Sequence, residues 1–225
     1  MSDSDVILSS MLFRGVKESE LPEALDFLKA VEKMYRKNAM IFMIGDPVRQ
    51  AGLVLEGMTE LSFLDEDENS VNMNHFSAGN TFGLSLAFVG TEKSPNQMQA
   101  LTDCRILFLN LDALSGADAA IRPFQARIMA NLLHSFAQQN VFLSQKVRIM
   151  GQHRLRDRIK VYLQQQRMAA SEYITLRFNR NELAGFLGVN RSALSRELSH
   201  LQEEGILTVE GRRILVRDRS FLSGT

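Results

Sequence analysis

Four side chains near the C-terminus have the types and spacing needed to read the edges of DNA bases. Arg191 and Arg196 each carry a guanidinium that can donate two hydrogen bonds to one guanine. Ser192 and Ser195 are short, so their hydroxyls can approach bases or phosphates closely. All four lie on the polar face of a predicted helix whose apolar positions, spaced four and three residues apart, are Leu194, Leu198 and Leu201.

The neighbouring segments predict a winged helix-turn-helix around this helix. Asn179 is a good N-cap for a first helix, and Glu182 stands three residues later, as in a capping box. Gly188 begins a short turn, and Asn190 caps the second helix. Such a helix fits the DNA major groove with its N-terminal residues against the bases. A hairpin with arginines at its tip follows, with strands predicted over Ile206–Glu210 and Arg213–Arg217.

The distribution of charge favours the same end of the chain. The 225 residues contain 26 Lys and Arg against 26 Asp and Glu, so the net charge is zero. Residues 151–225 nevertheless hold 13 basic against 8 acidic side chains, whereas residues 1–150 hold 13 against 18. Because phosphate binding requires positive charge, we expect DNA contacts from the C-terminal part and none from the N-terminal half.

The first 115 residues predict an antiparallel β-sandwich, barrel or β-roll. Turn signals separate short strand-like runs about every ten residues. One short helix is predicted before them, over Leu21–Val31. The strand-like runs are Met40–Ile44, Leu53–Leu55, Leu61–Leu64, Val71–Phe76, Met98–Leu101 and Arg105–Leu109.

Residues 116–150 predict one long helix, and residues 151–225 the DNA-binding domain, which makes the chain α+β. So long an apolar stripe needs a partner, either the β-domain or the same helix of a second subunit, and we expect both. Gln139 and Asn140 interrupt the stripe, and such polar groups fix register or meet a ligand. The stripe, predicted as the dimer helix, consists of Ile121, Phe124, Ile128, Leu132, Phe136, Leu143 and Val147.

Several other classes of protein are disfavoured by what the sequence lacks. Cys104 is the only cysteine, and the four histidines show no metal-ligand spacing, so no metal or cofactor is expected. Ser192 and Ser195 have no evident base, and a cupin-type enzyme would need clustered histidines and carboxylates, so we expect no enzyme. Neither a secretory signal nor an apolar run of about 20 residues occurs, which predicts a cytoplasmic protein without a membrane partner.

A β-domain, a long helix and a winged helix-turn-helix, in this order and length, resemble the CRP/FNR family of bacterial transcription regulators. The resemblance covers almost the whole chain and is strongest at NRNELAGFLGVNRSALSREL. It implies an N-terminal β-roll and a homodimer, joined through the long helix, on a two-fold symmetric operator in double-stranded DNA. It also implies an effector in the roll and contact with RNA polymerase.

The resemblance assigns roles to individual residues of the DNA-binding domain. Family members read bases from the positions of Arg191, Ser192, Ser195 and Arg196, although many carry a glutamate where this chain has Ser192. Since that glutamate accepts a hydrogen bond from cytosine, we expect the operator of this protein to differ from the best-known family operators at that base pair. Phosphate contacts are implied in the helix-turn-helix and wing, at Asn179, Arg180, Asn181, Asn190, Arg212 and Arg213.

The effector motifs of well-known members are missing at the matching positions. Where cyclic-AMP-binding members have a glutamate and an arginine–serine pair, this chain has Leu84, Ser94 and Pro95, so a bound phosphate would lose its charged partner. No cysteine cluster precedes Cys104, and no haem-ligating Cys or His stands at 81–85. We expect either an effector-independent regulator or a different small molecule near Gly83, Leu84, Ser85, Ser94, Pro95, Asn96, Gln139 and Asn140.

Overall fold

The computed structural model describes residues 2–64, 70–116, 121–166, 173–176 and 178–223. It separates into two compact units, residues 1–137 and residues 138–225. In the described ranges, no helix has the length and apolarity to cross a bilayer.

The first unit is a β-roll with helices at its beginning and end. All its strand pairs are antiparallel, and they form two four-stranded sheets with the orders β1-β8-β3-β6 and β2-β7-β4-β5. The predicted antiparallel β-domain is therefore confirmed. Its elements are α1 (Asp3–Ser9), α2 (Leu21–Phe27), β1 (Val31–Tyr35), β2 (Met40–Phe42), β3 (Ala51–Glu56), β4 (Met58–Leu64), β5 (Ser70–Ser77), β6 (Thr81–Phe82), α3 (Leu84–Val89), β7 (Gln97–Ala100) and β8 (Cys104–Leu109).

The first sheet is buried on both faces because side chains alternate along its central strands. Val54 and Ile106 are paired in the ladder between β3 and β8 and point into the roll interior. Leu53 and Leu107, the neighbouring pair, point outward into a second cluster that includes residues of α1 and α2. The roll therefore has an inner core between its sheets and an outer core against its helices.

Helix α2 is shorter than the sequence predicted. The prediction ran from Leu21 to Val31, but the helix ends at Phe27. Lys29 takes a left-handed conformation with φ of 47°, and Val31 already pairs with Phe108 in the sheet. Apolar periodicity alone does not predict this turn, because Leu28, Ala30 and Val31 are apolar and extend the helical pattern through it.

The long helix, α4, runs from Pro123 to Met150. Its predicted start near residue 116 is wrong for the described part, because Gly116 is extended and residues 117–120 lie outside the described residues. Proline has a fixed φ and no N–H, and it suits the first position of a helix, where Pro123 lies.

Most of the predicted dimer stripe packs within its own subunit. Phe124, Ile128 and Leu132 are at most 2% exposed and belong to the outer core of the roll. Phe136 packs edge-to-face against Phe88, with ring centroids 5.9 Å apart. Residues four apart share one helix face, so a face covered by the roll is closed to a partner. The other three members of the stripe are exposed: Ile121, Leu143 and Val147.

The second unit contains the C-terminal part of α4 and a winged helix-turn-helix. Its described elements are α5 (Leu155–Gln165), β9 (Tyr173–Thr175), α6 (Arg180–Phe186), α7 (Arg191–Glu203), β10 (Leu207–Glu210) and β11 (Arg213–Val216). The three strands form an antiparallel sheet in the order β10-β11-β9. One apolar cluster joins α5, α6, α7 and the wing, with Leu194, Leu198 and Leu201 at most 3% exposed.

Candidate DNA-binding interface

The two helices of the helix-turn-helix begin at the predicted caps. The Asn179 side-chain oxygen accepts from the backbone N–H groups of Asn181 at 2.9 Å and Glu182 at 3.0 Å. The Glu182 carboxylate accepts from the Asn179 N–H at 2.7 Å, which completes the capping box. Both N-terminal donors of α6 are therefore satisfied within the chain, and the start of the helix is fixed.

The cap of α7 also orients the hydroxyl of Ser192. The Asn190 side-chain oxygen accepts from the Ala193 N–H at 2.8 Å and from the Ser192 hydroxyl at 2.8 Å. Because the Ser192 proton is given to Asn190, the lone pairs of its oxygen face outward as acceptors. An acceptor there suits a base edge with an amino group, such as cytosine or adenine.

Helix α7 presents its polar residues to solvent because its apolar residues are anchored in the core. Arg191, Ser192, Ser195 and Arg196 are all exposed, whereas Leu194 between them is fully buried. The base-reading residues proposed from the sequence are thus brought together on one open face.

Arg180, the first residue of α6, has an unsatisfied guanidinium. The residue is half-buried, and its Nη1 atom is buried with no hydrogen-bond partner among the described residues. Burial, and secondly the positive charge of Arg191, lower the pKa of Arg180. A buried donor without a partner is costly, and two cations near each other at helix N-termini attract an anion. A DNA phosphate would supply both the acceptor and the charge.

The turn between the helices is held by contacts that sequence reasoning missed. The Arg158 guanidinium donates to the carbonyls of Leu187 and Gln152, both at 2.9 Å. Gly188 has φ of +68°, and a Cβ there would lie 2.6 Å from the Met150 side chain. The glycine was recognised as a turn signal, but no local pattern identifies Arg158, because its partners lie 6 and 29 residues away.

Of the two wing arginines predicted to contact phosphate, Arg212 has a structural role. The Arg212 guanidinium donates to the Leu176 carbonyl at 3.1 and 3.3 Å, which ties the wing tip to the end of β9. The exposed Arg212 thereby holds the wing to the sheet, and its predicted phosphate contact stays a prediction. Arg213 remains exposed, with its guanidinium 4.3 Å from the Tyr173 ring centroid.

The residues predicted to surround an effector do not form one pocket in the roll. Leu84 packs on the outer core instead of the roll interior, so its assignment as a pocket residue is wrong. Ser94 is buried, but its hydroxyl donates to the Asn96 carbonyl at 2.7 Å and is already satisfied. Gly83 is the N-cap of α3, Ser85 and Pro95 are exposed, and Gln139 and Asn140 are exposed residues of the second unit.

Aromatic side chains fill the interior of the roll. Tyr35, Phe108, Phe82 and Phe76 follow one another with ring centroids 6.3, 6.4 and 5.8 Å apart. The Phe82 ring occupies the space above Gly52, where a Cβ would lie 2.1 Å from its Cζ. Among the described residues, no group of three His, Cys, Asp or Glu side chains is placed to hold a metal ion.

Comparison with known proteins assigns both units. Residues 32–117 match the cyclic nucleotide-binding domain model, and residues 129–224 match the Crp-like helix-turn-helix domain model. The chain belongs to the CRP/FNR family of transcription regulators. Electron transport regulator A of Shewanella oneidensis is 23% identical to this family member over 89% of this chain and 80% of its own length.

Two further comparisons agree with this family assignment. The transcriptional activator protein anr of Pseudomonas aeruginosa is 26% identical over 87% of this chain and 80% of its own. The fold matches that of the Thermus thermophilus catabolite activator protein with a TM-score of 0.52 and 24% identity, over 95% of this chain and 96% of that one. The prediction of a transcription regulator of this family, as opposed to an enzyme, is thus confirmed by its relatives.

Proposed function

We propose that this CRP/FNR family member is a homodimer that binds a two-fold symmetric operator and regulates transcription from it. The observation that carries the proposal is the open face of α7, where Arg191, Ser192, Ser195 and Arg196 are exposed beside the unsatisfied guanidinium of Arg180. Two such helices in a dimer would enter successive major grooves roughly 34 Å apart.

The individual contacts divide into base readout and phosphate binding. Arg191 and Arg196 would each bind a guanine through two hydrogen bonds, and Ser192 would accept from an amino group. Arg180, Asn181 and Arg213 would bind phosphates, together with the side-chain amides of Asn179 and Asn190 that their capping roles leave free to donate. Phosphate contacts position the protein, whereas base contacts select the sequence.

The dimer contact would use the face of α4 opposite to the one that packs on the roll. Ala126, Ala130, Leu133 and Ala137 are exposed and follow one another at intervals of four, three and four residues. This is the spacing of a coiled-coil seam, and its small side chains allow two helices to approach closely. In the sequence the same spacing continues through Asn140, Ser144 and Val147.

Asn140 fits this seam as a register-setting residue. A single buried asparagine fixes the register and oligomeric state of a coiled coil at some cost in stability. The Ser144 hydroxyl donates to the Asn140 side-chain oxygen at 3.4 Å, so the two polar residues of the seam are already paired. We propose this role for Asn140 in place of an effector contact.

The effector would be a small molecule other than a cyclic nucleotide. The replacement of the family's arginine by Ser94, which is satisfied within its own loop, supports this view. The aromatic filling of the roll supports it too, since it leaves little room between the sheets. Contact with RNA polymerase stays a prediction, and an effector-independent regulator would show the same operator affinity with and without every metabolite tried.

Selection of binding sites from randomised double-stranded DNA tests the proposal. The purified protein should enrich a two-fold symmetric motif, and Arg196→Ala should relax base choice at one position in each half-site, at a cost of about 1–3 kcal/mol. Arg14→Ala removes an exposed arginine of the first unit and serves as the control, with no change expected. Enrichment of no motif, or of an asymmetric one, would overturn the proposal.

A further inference from the structure

The roll has a small cavity at the end where β1, β2 and β8 meet. Its volume is about 220 Å³, and it is lined by residues that include Lys33, Tyr35, Phe42, Arg49, Gln50 and Phe108. Pockets for drug-sized ligands hold roughly 300–1,000 Å³, so this one suits a compact molecule with a single ring.

The apolar part of the cavity combines three aromatic side chains with Ile41, Pro47 and Val48. Phe108 is 8% exposed, and the half-buried ring of Tyr35 lies 6.3 Å from it. Phe42 of β2 also lines the cavity and is a partly buried member of the inner core. An aromatic ring prefers to pack against other rings in offset or edge-to-face geometry, so these three aromatic side chains suit a planar aromatic ligand.

The polar part of the cavity consists of two cationic side chains, an amide and a hydroxyl. The Lys33 ammonium lies 5.1 Å from the Phe108 ring centroid and makes no ion pair with any carboxylate of the described residues. The side-chain amide of Gln50 and the hydroxyl of Tyr35 likewise make no hydrogen bond within the described part of the chain. Arg49 adds a second positive charge and forms an exposed ion pair with Glu92.

We propose that this cavity is the effector site and binds a small aromatic acid, with its ring against Phe108 and its carboxylate paired with Lys33 and Arg49. Aromatic walls with a few convergent polar groups are the usual composition of a ligand pocket. Two cations, an amide and a hydroxyl complement a carboxylate. The inference rests on the proposed function only where it calls the ligand an effector.

Binding of the ligand would change the position of Lys33. The Lys33 ammonium makes a cation–π contact with the Phe108 ring. An aromatic acid would displace it from that ring and offer a carboxylate instead. Lys33 lies on β1, opposite Ile106 of the inner core, so ligand binding acts directly on the strand that edges the first sheet.

Titration of the full-length protein with benzoate tests the inference, by calorimetry or ligand-observed NMR and without DNA. Benzamide has the same ring without the charge, and cyclohexanecarboxylate has the charge without the aromatic ring. Benzoate should bind saturably and about tenfold or more tightly than either of them. Equal affinity for benzamide, or no saturable binding of benzoate, phenylacetate or 4-hydroxybenzoate, would overturn the inference.

Variants of single lysines locate the binding. Lys33→Met should weaken benzoate binding about tenfold, and Lys33→Gln should do the same if the charge is what matters. Lys37→Met removes a nearby lysine that does not line the cavity, and its affinity for benzoate should equal that of the wild type. Unchanged binding by both Lys33 variants would place benzoate elsewhere and refute the site.

The effector role is tested separately from the site. With a selected operator in hand, benzoate should shift the operator affinity of the wild type but not that of Lys33→Met. A symmetric operator without any benzoate binding would refute this inference and leave the proposed function intact. Benzoate binding at Lys33 with no selected operator would refute the proposed function and the effector role together, while the cavity remained a ligand site.

Discussion

Replacement of Gly52 by alanine should destabilise the β-roll, because the space above this glycine is taken by Phe82. A Cβ at Gly52 would lie 2.1 Å from Phe82 Cζ and 2.5 Å from both Cε atoms, so the ring points end-on at the backbone. Ordinary contact begins at 3.4 Å, and the ring would have to withdraw by about 1.3 Å, as a severe case of overpacking. Phe82 is 3% exposed and packs between Phe76 and Phe108, which block its retreat.

We therefore expect Gly52→Ala to cost about 3 kcal/mol of unfolding free energy, at the upper end for overpacking. For a unit of this length that corresponds to a fall in Tm of roughly 10 °C. Urea unfolding followed by far-UV circular dichroism, with a parallel thermal melt, would measure both. Gly185→Ala is the matched control, because a Cβ there meets nothing within 4 Å, and it should not destabilise the protein.

A double-mutant cycle identifies the cause. Phe82→Leu removes the end of the ring that meets the new Cβ, so Gly52→Ala should cost less than about 1 kcal/mol when it is combined with Phe82→Leu. The coupling between the two sites should then be about 2 kcal/mol. A cost for Gly52→Ala that is the same in both backgrounds, or below about 1 kcal/mol in the wild type, would refute this interpretation of the roll interior.

Three further predictions concern charged and capping residues. Arg180→Met should weaken DNA binding about equally for all sequences, and the slope of log affinity against log salt concentration should fall by about one. It should not destabilise the fold, because the removed donor is buried without a partner. A sequence-dependent loss would refute the phosphate role. Asn179→Ala should cost about 1 kcal/mol in chemical denaturation, because it removes the cap of α6; an unchanged midpoint would contradict the capping box. The Arg105 guanidinium lowers the pKa of Asp3 below its ordinary value of 3.8, so their pairing stabilises the protein above about pH 4 and is lost as the pH falls further. The difference between the thermal melts of Arg105→Met and the wild type should therefore be present at pH 6 and shrink as the pH falls below 3.8; a constant difference would contradict this assignment.

The parts of the interface that follow from local chemistry could be predicted from the sequence. Asn179 and Asn190 cap their helices because a side-chain oxygen satisfies an N–H only two or three residues away. Leu194, Leu198 and Leu201 fix the orientation of α7 through their spacing alone, which also determines that Arg191 and Arg196 face outward.

The faces of the long helix show where such reasoning fails. Apolar periodicity predicts that the stripe with Phe124, Ile128 and Leu132 packs on the β-domain and also forms the dimer contact, and the structure shows the packing on the β-domain. The stripe is apolar because the roll covers it, whereas the exposed seam consists mainly of alanines, whose hydropathy gives little signal. Which of two faces meets a partner depends on tertiary packing, and periodicity does not contain that information.

Contacts between residues that lie far apart along the chain could likewise not be predicted from the sequence. The family resemblance assigns Arg212 to a DNA phosphate, but its guanidinium donates to the carbonyl of Leu176, 36 residues earlier. The rings of Tyr35 and Phe108 lie 6.3 Å apart, although the register of β1 and β8 pairs these residues with Cys104 and Val31. Such pairings depend on strand order, which no single strand specifies.

The most direct test of dimeric operator binding compares two operators that differ only in the spacing of their half-sites. The first is the selected symmetric operator, and the second has about five base pairs inserted at its centre, which turns one half-site about half a helical turn away from the other. If two α7 helices read successive major grooves from one dimer, fluorescence anisotropy should show that the insertion reduces affinity to the level of non-specific DNA. Equal affinity for both operators would contradict the proposal that one dimer binds both half-sites through its two α7 helices.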